Sequence, residues 1–158
     1  MATIANLTKS GNVTSNQAFK GFPEGQMFVR KATITTGTLV VNDVIQALNV
    51  YAGESLHAVR IMSTDIDTGG SPAIVLDVGY GNSTTATAST SDDLIDGSTI
   101  GQGAGSAIAS VFSSDDDAGT SFANGALDFS SDDTIDIHVQ VAPATTAAGT
   151  ITVWGYFT

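Results

Sequence analysis

The sequence predicts an all-β fold: an antiparallel β-sandwich of jelly-roll type, with about eight strands and an extended N-terminal arm. Three observations carry this. No segment sustains the i, i+3, i+4 apolar spacing of an amphipathic helix. The chain is rich in Gly, Thr, Ser, Val and Ile, residues that suit turns and strands. Runs of period-two alternation, each closed by turn chemistry, occupy both ends of the chain.

Residues 1–26 read as an arm, because their apolar residues are sparse and unphased and Pro23 with two glycines precedes the first strand. Residues 27–158 form the sandwich domain. Its first strand lies in "MFVRKATITTG", with Phe28, Ala32 and Ile34 on one side and Arg30 interrupting them. "DVIQALNVYAGE" follows, with Val44, Gln46, Leu48 and Val50 on one face and Ile45, Ala47, Asn49 and Tyr51 on the other. In "SLHAVRIMSTD", His57, Val59 and Ile61 oppose Leu56, Ala58, Arg60 and Met62. "AIVLDVGYG" points Ile74, Leu76, Val78 and Tyr80 inward and Asp77 outward.

The cleanest alternation is "DTIDIHVQVAP", where Ile135, Ile137, Val139 and Val141 share one face and Thr134, Asp136, His138 and Gln140 the other. That pattern predicts a strand with one wet face. "GTITVWGYFT" alternates Ile151, Val153, Gly155 and Phe157 with Thr150, Thr152, Trp154 and Tyr156. A long structureless stretch between Gly81 and Asp133 is improbable inside a compact domain. Two short strands are expected there, at 107–112 and 121–129.

At 158 residues the chain fits one domain that buries roughly 70% of its unfolded surface. It has no cysteine, which excludes disulfides, thiolate metal sites and thiol catalysis. No basic start with an apolar run behind it marks an ordinary secretory signal, and no stretch reaches the ~18 apolar residues of a membrane helix. Net charge is −11 and unevenly spread. The first 60 residues hold all five basic side chains against three acidic ones, whereas residues 61–158 carry thirteen aspartates and neither Lys nor Arg. Such a chain repels phosphate backbones, so no nucleic-acid partner is expected, and no membrane partner either. It suits docking onto another protein by its less acidic part.

Asp65-Ile-Asp67-Thr-Gly69-Gly70 looks like the opening of a calcium loop. An EF-hand needs oxygen ligands near positions 1, 3, 5, 7 and 9 and a bidentate acid at 12. Counted from Asp65, positions 5, 9 and 12 are Gly69, Ala73 and Leu76, and a strand replaces the following helix. The dedicated EF-hand is excluded, and a turn built on Asp and Gly is the favoured reading. Asp65 and Asp67, with Asp115, Asp116 and Asp117, stay as candidate Ca2+ ligands, and no other cofactor is expected. His57 and His138 lie on strands without a Gly-x-Ser-x-Gly elbow, no catalytic residues are proposed by any motif, and the chain is expected not to be an enzyme. "GQGAGS", Gly101 to Ser106, lacks the Lys-Ser/Thr of a phosphate loop.

Several phrases together resemble a known group. Asp43-Val-Ile45, Asp65-x-Asp67-Thr68, Leu76-Asp-Val-Gly79, "IGQG", Asp133-Thr-Ile-Asp136 and Gly149-Thr-Ile151 follow the order found in small structural proteins from the capsid gene neighbourhood of tailed bacteriophages. The match covers roughly residues 42–158. The resemblance implies a jelly-roll decoration, or cement, protein on the outer capsid surface of the virion, contacting the major capsid protein and self-associating, often as a homotrimer. It carries over no catalytic or metal residue. Interface candidates come from the arm and the first strand: Phe19, Lys20, Phe22, Met27, Arg30 and Lys31. The alternative is a virion-surface adhesion or carbohydrate-binding β-sandwich, a head fibre or knob, whose Asp loops bind cations.

Overall fold

The computed structural model describes residues 3–4, 27–81, 92–110 and 125–158. Their strands are β1 (Thr3–Ile4), β2 (Phe28–Thr36), β3 (Val44–Val50), β4 (Ser55–Ser63), β5 (Val75–Tyr80), β6 (Ile95–Ser98), β7 (Gly105–Ser110), β8 (Leu127–Asp128), β9 (Asp133–Val141) and β10 (Gly149–Phe157), with one 3-10 turn at Ile100–Gln102. β5 pairs with β6, β4 with β7, β3 with β9 and β2 with β10, all antiparallel. The chain is thus one long hairpin with nested pairs. Rolling it up gives two sheets, ordered β2-β10-β4-β7 and β3-β9-β5-β6, which is the jelly roll expected from the strand pattern.

Shorter pieces extend both sheets. β1 joins the second sheet beside β3 in parallel, and β8 pairs with the Ser55–Leu56 end of β4. Of the strand expected at 107–112, residues 107–110 belong to β7, and of that expected at 121–129, Leu127 and Asp128 form β8; residues 111–112 and 121–124 lie outside the described residues. β6 was not expected, because its four residues Ile-Asp-Gly-Ser alternate too briefly to register.

The core fills the space between the sheets. Ile34, Leu56, Val59, Ile61, Ile151, Val153 and Phe157 face Ile45, Leu48, Leu76, Val78, Ile135, Ile137 and Val139, all buried. Each buried side chain of this size contributes about 1.5–3 kcal/mol relative to exposure. In β10 the inward set is the one the alternation predicts.

In β3 and β4 a bulge changes the parity. The register of β3 against β9 skips Ala47, so Ile45 opposite Ile137 and Leu48 opposite Ile135 share the inner face. β4 likewise skips His57 against β10, letting Leu56 join Val59 and Ile61 inside. An extra residue on one strand of a pair reverses which side chains point inward beyond it, and strict alternation cannot foresee that.

Asp67 fastens one end of the sandwich. Its side chain is buried, and its two oxygens accept five backbone N–H groups. Oδ1 takes Thr145 N at 2.8 Å and Gly69 N at 3.4 Å, while Oδ2 takes Ala73, Ala144 and Ile74 N at 2.6, 2.9 and 3.0 Å. The carboxylate thereby ties the β4–β5 connection to the β9–β10 connection. Thr68 N to Thr145 O and Ala147 N to Ile66 O, both 3.1 Å, reinforce the tie. Burial alone would raise the Asp67 pKa. The N–H groups of Ala73, Thr145, Ala144 and Ile74 outweigh it and hold the acid well below the ordinary value of 3.8.

Two measurements check these packing claims. A Cβ at Gly155, inward on β10, would stand 2.8 Å from Phe157 Cζ and 3.1 Å from Leu48 Cδ1. Gly155→Ala is expected to destabilise by about 1–3 kcal/mol in chemical denaturation, and an unchanged midpoint would show that the Phe157 ring moves freely. Because the folded-state pKa of Asp67 is depressed, its stabilising contribution is intact above 3.8 and is lost as pH falls toward the folded value. Asp67→Asn is therefore expected to lower Tm at neutral pH and to shrink the wild-type loss of Tm below pH 3.8; parallel pH profiles for the two proteins would refute this.

Candidate functional site

The two sheets differ sharply in charge. β2, β4, β7 and β10 contain no Asp or Glu and hold Arg30, Lys31 and Arg60. β3, β5, β6 and β9 contain Asp77, Asp96, Asp133 and Asp136 and no Lys or Arg. The asymmetry written along the sequence becomes an asymmetry between the two sheets, although Asp77 and Asp136 are buried.

Of those three cations Arg30 is used internally. It points to the inner side of β2 and is 6% exposed. Its guanidinium forms a bidentate pair with Glu54, donates from Nη1 to Asn49 O at 3.1 Å, and lies 4.8–5.0 Å from the ring centroids of Phe28, Tyr51 and Phe157. Burying a cation is tolerable only with such pairing. This proposed interface residue therefore has its charge satisfied within the chain.

Lys31 and Arg60 are different. Pairing across four strands lines up Lys31, Trp154, Arg60 and Ile108 in one row on the outer face of the first sheet. Lys31 Nζ lies 5.4 Å and Arg60 Cζ 5.6 Å from the Trp154 ring centroid, within cation–π range. Neither has an ion-pair partner among the described residues.

Apolar and hydroxyl groups flank this row. On one side stand Val29, Tyr156 and Ala58, on the other Thr33, Thr152, Met62 and Ser106. Val29, Met62 and Ile108 are 45, 39 and 43% exposed, and Met27 just before β2 is 58% exposed. The acid of this sheet among the described residues is Asp128 on β8, bonded by Ser55 Oγ at the far end of β4. An exposed antiparallel face usually alternates polar residues outward; a central Trp between two free cations and several aliphatics has the composition of an interface core.

Sequence reading named Met27 and Lys31 for this region and missed Trp154, Arg60, Met62 and Ile108. The outward Trp154 was legible from β10 alone, but its neighbours come from three distant segments and required the register. Phe19, Lys20 and Phe22 lie outside the described residues.

The outer face of the second sheet departs from expectation. β9 does not have a wet face: Thr134, Asp136 and His138 are buried, and only Gln140 of that set is exposed. Asp77 points away from Leu76 and Val78 as predicted but is itself buried. His138 Nδ1 stands 3.5 Å from Asp77 Oδ2, and Gly97 N donates to Asp77 Oδ1 at 2.9 Å. Burial raises the Asp77 pKa, Gly97 and His138 oppose the shift, and the Asp96 charge adds to it. A raised carboxyl contributes stability below its unfolded value that is lost as pH rises through the folded one, opposite in sign to Asp67. A histidine on the polar face of its strand is here a covered one.

Of the five cation candidates, Asp65 and Asp67 lie among the described residues. Asp67 directs both oxygens at backbone N–H groups, whose positive ends occupy the positions a cation would take. Asp65 is exposed and accepts from Asp67 N at 3.1 Å. Asp115, Asp116 and Asp117 lie outside the described residues. Among the described residues no group of three or more His, Asp or Glu is arranged to hold a metal ion. No helix among them is long and apolar enough to cross a membrane.

No protein-family model and no curated protein matches the sequence. Solved structures do. A chain of the cyanophage Pam1 capsid asymmetric unit shares the fold at TM-score 0.66 and 23% identity, covering 91% of this chain and 93% of that one. A chain of the Ralstonia phage GP4 capsid gives 0.65 and 22%, with coverage of 86% and 87%. A chain of the acid-stable capsid structure of Helicobacter pylori bacteriophage KHP30 gives 0.52 and 10%, with 83% and 86%. The fold of this chain is one also found in chains of phage capsid structures.

Proposed function

We propose that this chain is a non-enzymatic structural protein of a phage virion, a decoration or cement protein that self-associates as a homotrimer. It binds the outside of the capsid and stabilises junctions between major capsid proteins. The observation that carries the reading is the end-to-end likeness to the Pam1 capsid chain, covering nine-tenths of both chains. The phrases between Asp43 and Ile151 that resemble phage decoration proteins run through the same eight-stranded core. A shell under internal pressure gains from added protein contact across its junctions, and specific contacts of this kind bury about 1,600 Å² in total.

Purified chain is expected to bind heads that lack it, to saturate at a fixed copy number, and to raise the temperature at which the heads rupture. Heads that take up the protein without gaining stability would remove the cement role.

One observation favours the adhesion reading as a second possibility. A pocket of about 290 Å³ beside β3 and β9 is lined by Gln46, Asn49, Tyr51, Asp132, Asp133 and Thr134. An aromatic ring with amides and carboxylates is the equipment of a saccharide site. Under this reading a glycan array shows binding that Tyr51→Ala abolishes; silence across the array would count against it.

A further inference from the structure

We infer that the outer face of the β2-β10-β4-β7 sheet is the surface by which this protein docks. Its partner is a surface of the capsid shell that presents carboxylates around an apolar patch. The inference rests on the decoration reading and adds to it the face, the orientation and the chemistry of the contact.

Three observations point the same way. Lys31 and Arg60 are the cations among the described residues that no carboxylate neutralises, and both stand in one row of one face. The chain as a whole carries −11, so free positive charge concentrated beside Trp154 sets this face apart from the rest of the surface. The strands that build it contain no acid, whereas those of the opposite sheet carry Asp96 and Asp133 at the surface, with Asp77 and Asp136 buried beneath it.

The geometry is also prepared for binding. Lys31 and Arg60 already rest over the Trp154 ring, so less side-chain freedom remains to be lost when a carboxylate arrives. Trp and Arg are the residue types that most often dominate binding energy. Ile108, Met62 and Val29 around them are exposed and exclude water from the contact once covered.

A second copy related by a two-fold axis, with the same face turned to it, fits poorly. Two copies meeting face to face would set Lys31 and Arg60 against like charges, and charge complementarity across an interface is what steers and registers it. A non-self surface bearing carboxylates meets the requirement, and it turns the aspartate-bearing sheet away from the shell.

The test uses the full-length protein and heads lacking it, with bound copies measured against protein concentration at low and high salt. Wild type is expected to weaken as salt rises. Lys31→Glu/Arg60→Glu is expected to lose at least about tenfold in affinity, and Trp154→Ala roughly 30-fold, the effect of a hot-spot residue. Thr33→Glu, which gives up only the 3.3 Å hydroxyl contact with Thr152 and adds one negative charge to the face, keeps the test valid if a larger change impairs folding. Asp96→Lys, on the opposite sheet, is expected to bind like wild type. If wild type binds heads and the Lys31/Arg60 and Thr33 variants, with unchanged Tm, bind within threefold of it, the docking assignment is overturned. A change in the protein's own association state without a change in head binding overturns it as well, by making this face a contact between copies. If wild type does not bind heads at all, the decoration reading falls and the docking assignment falls with it.

Discussion

The nine-residue ladder between β2 and β10, from Phe28 opposite Phe157 to Thr36 opposite Gly149, is the constraint on which the remaining architecture depends. β10 enters between β2 and β4, so it completes the first sheet by bonding on both edges. Its inward residues Ile151, Val153 and Phe157 become the floor of the core. Its outward residues Thr152, Trp154 and Tyr156 become the centre of the exposed face. One strand with strict alternation thereby supplies both the hydrophobic term that holds the sandwich together and the aromatic group on which the proposed contact is centred.

Much of this was legible because the signals were local. Sheet-forming composition, period-two runs and Asp/Gly turns gave the fold class and six of the long strands close to their observed bounds, and the expected jelly-roll winding is the one found. What escaped depended on partners far apart in the chain. Ala47 and His57 sit in bulges that only pairing with β9 and β10 reveals. β6 is four residues long and gains its identity from β5. Arg30 read as an interruption of the apolar side of its strand and as an interface candidate, yet Glu54 and three rings make its burial tolerable. The polar side of β9 looked wet because its residues are polar, whereas burial is a property of what packs over them.

Asp65 and Asp67 turn on the same distinction between residue type and partners. Two aspartates spaced by one residue suit a cation or a turn equally well in sequence. In the fold, Asp67 receives N–H groups from two connections, which places an anion where the backbone is rich in donors. The carboxylate acts as a fastener between loops, and the charge that looked like a ligand serves to hold two strands' ends together.

The nesting of the hairpin also carries a consequence for how the protein comes into being. β2 is among the first strands to leave the ribosome, yet its partner β10 follows every other strand. The pairs that enclose the most chain close last, and topologies dominated by distant pairings fold slowly. Lys31 and Arg60 therefore flank nothing until Trp154 arrives between them. A chain interrupted before β10 has neither a closed core nor a finished face, so a truncated copy lacks the Trp154 row altogether.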